Sequence, residues 1–245
     1  MSACPFLGEL LGTAILILLG DGVVSGVLLN KSKANGAGWV AITTGWAFAV
    51  MSGAFVAAAA GSPQADLNPA VTLAKMIMGG TNLPDGLVRM AGEMIGAMLG
   101  ATLAFLAYHQ HWGETDDPGL KLACFCTGPA IRHSFWNLAT EIIATFVLVF
   151  VIFCIFAKTG ATGGNPAPGF GTYLVAMLIW GIGLSLGGPT GYALNPARDL
   201  GPRIAHALLP IAGKGDSDWG YAWIPVVGPC IGAGLAALLA RSLAM

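Results

Sequence analysis

Long runs of hydrophobic residues alternate with short polar connections along the whole chain of 245 residues. A helix needs about 20 apolar residues to cross the hydrocarbon core of a bilayer. Six runs approach or exceed that length, and they are residues 6–29, 39–60, 87–108, 136–157, 173–188 and 221–240. The connections between them carry most of the charged residues and prolines. The pattern predicts an all-α membrane protein with six transmembrane helices and no attached soluble domain.

Two shorter apolar stretches follow the second and the fifth run, and both begin with Asn-Pro-Ala. NPAVTLAKMI begins at residue 68 and NPARDLGPRIAHALL at residue 195, and each is about half a span long. Asparagine is a favoured helix N-cap, and proline at the first helical position loses no hydrogen bond. A half-length helix at membrane depth must be buried in protein or line a watery cavity. The sequence therefore predicts two re-entrant half-helices, which start at Asn68, Pro69, Ala70 and at Asn195, Pro196, Ala197.

The chain is an internal duplication. Three short segments recur in the same order in both halves, and they are residues 9–13 with 141–145, 68–70 with 195–197, and 95–97 with 231–233. Because each half holds an odd number of spans, the second half enters the membrane from the opposite side, and the half-helices point at each other. We expect a single channel domain, 1–245, made of a first repeat at 1–108, a connecting loop at 109–135 and a second repeat at 136–245.

Composition narrows the class of protein. Of all residues, 56% are hydrophobic and 9% are charged, whereas about a quarter of an average soluble domain is charged. The net charge is −1 and the basic residues are scattered, which argues against nucleic acid as a partner. The five cysteines lack the spacing of a zinc site, and no set of catalytic side chains is apparent. We expect a multi-pass integral membrane protein that is not an enzyme and binds no metal or cofactor.

Two helix N-termini that meet near the bilayer centre repel cations, since each carries about half a positive elementary charge. The side-chain oxygens of Asn68 and Asn195 can cap their own helices, while their amide groups donate to a solute in the lumen. Such donors oppose proton relay along a chain of waters. Arg198 lies in the first turn of the second half-helix, where facing lipid would be costly, so we expect its guanidinium to face the pore.

Six spans in an inverted repeat, with LNPAVTLA and GYALNPARDLGPR in the half-helices, resemble the aquaporin family. The NPARD motif, together with Arg203, resembles the glycerol-facilitator branch of that family. The resemblance implies a passive channel for glycerol and similar small neutral solutes, with water. It also implies a homotetramer in the lipid bilayer, with the plasma (inner) membrane as its location. Lactic acid or urea as the main solute is an alternative within the same architecture.

The same resemblance implies a selectivity filter made of Trp46, Gly183, Tyr192 and Arg198. Trp46 is placed by the similarity of GWAFAV to the family pattern WGxxV, and Phe48 is the alternative aromatic. Two aromatic faces suit the C–H edge of a polyol, and Arg198 donates to its hydroxyl groups. Gly183 leaves room that a histidine fills in a water-selective pore.

Glu9 and Glu141 are carboxylic acids inside otherwise apolar spans, and such residues face the bundle interior. An ion-coupled secondary transporter, which can also have inverted repeats and broken helices, uses such groups for coupling. The family resemblance implies instead that both residues buttress the loops before the half-helices. Glu93 has no counterpart in the second half, and the sequence indicates no role for it.

The chain departs from the family pattern before the first half-helix, where SPQADL stands in place of SGAHL. By position, Gln64, Ala65 and Asp66 correspond to backbone that lines the inner half of the pore in the family. Asp66 replaces a histidine there. A carboxylate at the inner mouth disfavours anions, so we expect the solute to be neutral.

A third Asn-Pro-Ala occurs in TGGNPAPGF, between the fourth and the fifth hydrophobic run. The first half of the chain has no matching tripeptide. Pro168 comes two residues after Pro166 and glycines follow, so no half-helix can begin here. We predict that residues 162–170 form a surface loop away from the pore. Replacing Asn165 with alanine is therefore expected to leave permeability near wild type.

Overall fold

The computed structural model describes residues 4–160, 162–164 and 166–245, and within them it contains nine α-helices and no strand. The helices are α1 (Pro5–Leu28), α2 (Gly38–Ala59), α3 (Pro69–Ile77), α4 (Leu83–Ala107), α5 (Pro118–Ala123), α6 (Ser134–Phe156), α7 (Phe170–Leu186), α8 (Pro196–Leu208) and α9 (Ile224–Ser242). The all-α fold predicted from the hydrophobic pattern is confirmed.

Five helices, α1, α2, α4, α6 and α9, are long and apolar enough to cross a membrane. The sixth predicted span, α7, has 17 residues and is about 26 Å long at 1.5 Å per residue. The main boundary error lies in α4, which begins at Leu83 because Asn82 caps it and Pro84 occupies its first turn. Its first turn is more polar than a membrane span, so the hydrophobic pattern alone did not include it.

The two short helices α3 and α8 begin at the predicted tripeptides. Their N-caps, Asn68 and Asn195, have extended backbone with φ of −159° and −151°, and a proline follows each cap. Each short helix comes after two long helices and before a third, so the same order of elements occurs in both halves of the chain. This order is the predicted inverted repeat with two half-helices.

Packing within each half depends on small residues at the helix contacts. Helix α1 packs against α2 and α4, and α6 packs against α9. A Cβ atom at Gly96 of α4 would lie 2.3 Å from the Leu10 carbonyl oxygen of α1, and one at Gly232 of α9 would lie 2.4 Å from that of Ile142 in α6. Glycine at these positions lets the backbones approach. The halves join where α2 meets α7, α3 meets α9 and α4 meets α8.

Candidate pore and selectivity filter

The segments that lead into the half-helices have an unusual backbone, and it is the same in both halves. Alternate residues have positive φ although none of them is glycine, a conformation that costs free energy. They are Ala65 (43°), Leu67 (53°), Tyr192 (41°) and Leu194 (57°). Neighbouring contacts must therefore stabilise both segments.

Glu9 of α1 provides those contacts in the first half. Its carboxylate is fully buried and accepts hydrogen bonds from the Ser62 hydroxyl at 2.6 Å, the Asp66 N–H at 3.1 Å and the Leu67 N–H at 2.8 Å. Arg89 of α4 also lies 3.3 Å from this carboxylate and contributes a compensating charge. The three donors Ser62, Asp66 and Leu67 all belong to the segment before α3.

Glu141 of α6 occupies the matching place in the second half. It is fully buried and accepts from the Thr190 hydroxyl at 2.7 Å, the Ala193 N–H at 3.0 Å and the Leu194 N–H at 3.1 Å. Charge-assisted bonds of this kind are roughly twice as strong as neutral ones. One carboxylate in each half thus holds the strained backbone that precedes each half-helix.

Asn68 and Asn195 connect the two half-helices. In each, the side-chain oxygen accepts from the backbone N–H two residues further on at 2.9 Å, which caps its own helix. The Asn68 amide donates to the Leu194 carbonyl at 2.8 Å, and the Asn195 amide donates to the Leu67 carbonyl at 2.7 Å. One N–H of each amide is engaged in this reciprocal pair, which leaves the second for the lumen.

A cavity of about 520 Å³ runs past the two asparagines. It is walled largely by apolar side chains from α2, α6 and α7, with polar groups along the segments before the half-helices. Trp46, Tyr192 and Arg198 line it, and it continues along α3 as far as Lys75. The sequence-predicted residues Gln64, Ala65 and Asp66 also line it. An apolar channel with a few fixed polar groups suits a small neutral solute.

Three of the four predicted filter residues lie together. The guanidinium carbon of Arg198 lies 3.9 Å from the centre of the Trp46 ring, within the range of a cation–π contact. Arg198 also donates to the Phe125 carbonyl at 3.2 Å. The alternative aromatic, Phe48, is half exposed on the outer surface of α2 and does not line the cavity. Trp46 is therefore the aromatic of α2 that contacts Arg198.

Gly183 differs from its expected role because it does not line the cavity. A Cβ atom there would lie 2.9 Å from both Thr43 Cγ2 and Tyr192 Cζ. The Trp39 indole N–H donates to the Gly183 carbonyl at 3.0 Å, and the Trp39 ring packs edge-on against the Tyr192 ring. The expectation that Gly183 leaves open room for solute was wrong, because the Tyr192 ring fills that space. The missing side chain of Gly183 leaves the space that the Tyr192 ring occupies.

Asp66 also differs from expectation. Its side chain is fully buried, forms an ion pair with Lys75 and lies 3.9 Å from Arg89. Lys75 donates in addition to the Gln64 carbonyl at 3.2 Å and keeps 23% of its side chain exposed. The sequence led us to expect that this carboxylate disfavours anions, but Lys75 and Arg89 lie beside it and compensate its charge. The charged group that remains accessible there is the Lys75 ammonium.

Glu93, which had no predicted role, joins this cluster through Thr72. The Thr72 hydroxyl lies 2.8 Å from Glu93 and 2.9 Å from the Asp66 carboxylate. A hydroxyl has one hydrogen, so one of the two carboxyl groups must donate to it. Within the described ranges no cation pairs with Glu93, whereas Asp66 has Lys75. Glu93 is therefore the protonated acid, which balances the charge of the cluster.

The segment that contains the third Asn-Pro-Ala reaches the pore. Pro166, Ala167, Pro168 and Gly169 line the cavity, so the prediction that this loop stays away from the pore was wrong. The described residues of the loop form no half-helix, as predicted, and the next helix begins at Phe170. Asn165 itself lies outside the described residues.

The long connection between the halves packs against the first turns of α8, beside Arg198. Arg203 of α8 is fully buried and binds Asp199 through two bonds of 2.8 and 3.0 Å. Asp199 in turn accepts from the Thr127 N–H at 2.8 Å. This ion pair ties the connection to α8 and so fixes the Phe125 carbonyl that contacts Arg198. Burial raises the pKa of the nearby Cys124 thiol to about 12, so the thiol stays protonated at neutral pH.

Comparison with known proteins agrees with this architecture. The chain is 53% identical to glycerol uptake facilitator protein 3 of Lactiplantibacillus plantarum, over 97% of this chain and 95% of that protein. It is 51% identical to a probable glycerol uptake facilitator protein of Thermotoga maritima, over 96% and 97% of the two chains. The X-ray structure of the aquaglyceroporin from Plasmodium falciparum superposes with a TM-score of 0.82 at 27% identity, over 96% of this chain and 93% of that chain. A family model described as major intrinsic protein matches residues 3–240, and the chain therefore belongs to the major intrinsic protein family.

Proposed function

We propose that this protein is a passive transmembrane channel that conducts glycerol and similar small neutral solutes together with water. The observation that carries the proposal is the Arg198 guanidinium lying over the Trp46 ring, beside Tyr192, in a cavity that continues to the paired asparagines. The names of the relatives, glycerol uptake facilitators at 51% and 53% identity, support glycerol as the solute.

The filter suits a polyol because its two sides differ in chemistry. Trp46 and Tyr192 offer aromatic surface to the C–H edge of the solute, while the free N–H groups of Arg198 donate to its hydroxyl oxygens. The Tyr192 hydroxyl itself is buried beside Gly183, so Tyr192 offers its ring to the solute and not its hydroxyl group. Glycerol replaces its lost water contacts at both sides and passes without a large desolvation cost.

The same cavity opposes the passage of charged solutes. The N-termini of α3 and α8 meet at the paired asparagines and place partial positive charge there, which opposes cations. The remaining amide N–H of Asn68 and of Asn195 donates to each passing oxygen and interrupts proton relay between waters. The apolar walls of the cavity give anions no compensation for lost hydration.

The contacts of Glu9 and Glu141 favour a channel over an ion-coupled transporter. Each carboxylate accepts three hydrogen bonds from the segment before a half-helix. A coupling group must release its partners as it binds and releases an ion. Buttressing of these segments, without a titration cycle, is the role that we assign to both residues.

The family membership also supports a proposal for assembly and location. We propose a homotetramer with one pore in each subunit, in the plasma (inner) membrane. Native mass spectrometry of the purified protein in mild detergent tests the tetramer, and a monomer under conditions that preserve transport would contradict it.

Stopped-flow light scattering of proteoliposomes tests the proposed solute. Glycerol, urea, lactic acid and a water-only osmotic step are compared at several pH values, with protein-free liposomes as the control. We expect glycerol entry well above the control and independent of pH. Urea or lactic acid entering much faster than glycerol would overturn glycerol as the principal solute. Permeability equal to that of protein-free liposomes for every solute would overturn the channel itself.

A further inference from the structure

Asp21 of α1 is a buried carboxylate outside the site described so far. Only 1% of its surface is exposed, and it does not line the cavity. Neither of its carboxylate oxygens accepts a hydrogen bond from any described residue. Buried carboxylates are almost always paired and hydrogen-bonded, because burial of an isolated charge is costly. The position of Asp21 therefore needs an explanation other than hydrogen bonding.

The cation that faces Asp21 is the filter arginine. Asp21 Oδ1 lies 3.8 Å from Arg198 Nη1, and this is the sole ion pair of Arg198 among the described residues. The guanidinium is thus held between the Asp21 carboxylate, the Phe125 carbonyl and the face of Trp46. These contacts come from three separate parts of the chain and leave the remaining N–H groups for the lumen.

The residue before Asp21 also shapes the filter. A Cβ atom at Gly20 would lie 2.1 Å from the Trp46 ring, so the ring can pack here only because residue 20 is glycine. Two consecutive residues of α1 therefore act on the two filter residues that contact each other. Gly20 makes space for the Trp46 ring, and Asp21 faces the guanidinium that lies on that ring.

We propose that Asp21 is a positioning residue that holds Arg198 over Trp46 and offsets its positive charge. The offset allows the arginine to donate to neutral hydroxyl groups without retaining small anions at the filter. This inference rests on the proposed channel function and adds a residue that determines selectivity from outside the pore.

Glycerol flux in the presence of formate tests the proposal. Formate is an anion at neutral pH, and neutral formamide of similar size serves as the matched solute. In Asp21→Asn, which keeps the shape and removes the charge, we expect formate to inhibit glycerol entry at a concentration about tenfold lower than in wild type, since removal of one partner leaves the buried arginine uncompensated. Formamide should have the same effect on both proteins.

Ser25→Ala is the matched control variant. Ser25 lies one turn further along α1 and is equally buried. It carries no charge, so its replacement should leave formate inhibition unchanged. If Asp21→Asn is not recovered as folded protein, Asp21→Ser is a second charge-free variant for the same assay.

A double variant distinguishes action through Arg198 from a direct effect on the pore. In an Arg198→Gln background, the Asp21→Asn change should no longer alter the ratio of formate to formamide inhibition. The proposal is overturned if the ratio in Asp21→Asn equals that of wild type, or if the change has equal size in both backgrounds. Wild-type protein that conducts no glycerol would instead overturn the proposed function, so the two failures are distinct.

Discussion

At the residue scale, some residues of the pore could be predicted from the sequence and others could not. The family resemblance was enough to expect Trp46, Tyr192 and Arg198 at the pore, and all three line the cavity. The ion pairs of Asp66 could not be predicted in this way, because one of them is made by Arg89, which lies on another helix, α4. Asp21 was also missed, because an acidic residue in an apolar run does not indicate its partner.

Because Glu93 is protonated, replacing it should affect stability less than replacing Asp66, the other carboxyl group that contacts Thr72. Glu93→Gln should change the free energy of unfolding by about 1 kcal/mol or less, because an amide can donate to Thr72 as the acid does. Asp66→Asn should cost about 3–5 kcal/mol, because it leaves Lys75 and Arg89 with too little buried negative charge. Thermal unfolding in detergent measures both. Equal losses would show that Glu93 is ionised.

The contact between Gly183 and Tyr192 predicts how the filter responds to a new side chain. Gly183→His should displace the Tyr192 ring, since even a Cβ atom would lie 2.9 Å from it. We expect glycerol permeability to fall by about tenfold and water permeability to fall less, because the larger solute needs the aromatic surface. Gly181→His is the control, because a Cβ there meets no atom within 4 Å. An unchanged glycerol-to-water ratio would remove this contact from the filter.

At the element scale, the half-helices could be predicted because capping chemistry is local. Both α3 and α8 begin where an asparagine and a proline precede an apolar stretch. The segment 166–169 shows the limit of that argument. Its prolines and glycines indicate a turn, but they do not indicate which surface the turn packs against, and the structure brings it to the cavity.

The buttress of the second half can be tested on helix α6. Glu141→Ala leaves two backbone N–H groups and the Thr190 hydroxyl without their acceptor, and the backbone they belong to is strained. We expect a loss of about 3 kcal/mol in the free energy of unfolding together with a loss of glycerol flux per folded channel. Thr140→Ala changes the neighbouring, partly exposed residue, whose hydroxyl bonds only within its own helix, and should alter neither quantity. Wild-type flux in Glu141→Ala would contradict the buttress role.

The loop before α7 gives a prediction for the end of the cavity that it lines. Ala167 lines the cavity and is exposed, so a tryptophan there can be accommodated without disturbing the core. Ala167→Trp should narrow the mouth and reduce glycerol permeability by several-fold, with a smaller effect on water and no change in thermal stability. Flux measurements on proteoliposomes with matched protein content decide this. Unaltered glycerol entry would mean that solute does not pass this segment.

At the scale of the whole molecule, the duplication accounts for the pore. Each half supplies one buttress carboxylate, one strained segment and one capped half-helix, and the two asparagines join the halves through reciprocal hydrogen bonds. The symmetry could be predicted from recurring short segments and from an odd number of spans. The features that break it, Asp21, Lys75 and the loop at 166–169, could not be predicted, because they have no partner in the other half.

The most direct test of the central claim is the initial rate of glycerol entry into proteoliposomes, measured against glycerol concentration with and without an imposed proton gradient. Because Glu9 and Glu141 are held by the segments that they buttress, no carboxylate cycles with the solute. The account predicts a rate that is linear in concentration and the same in both conditions. Saturating entry, or accumulation of glycerol above its external concentration when the gradient is applied, would contradict it.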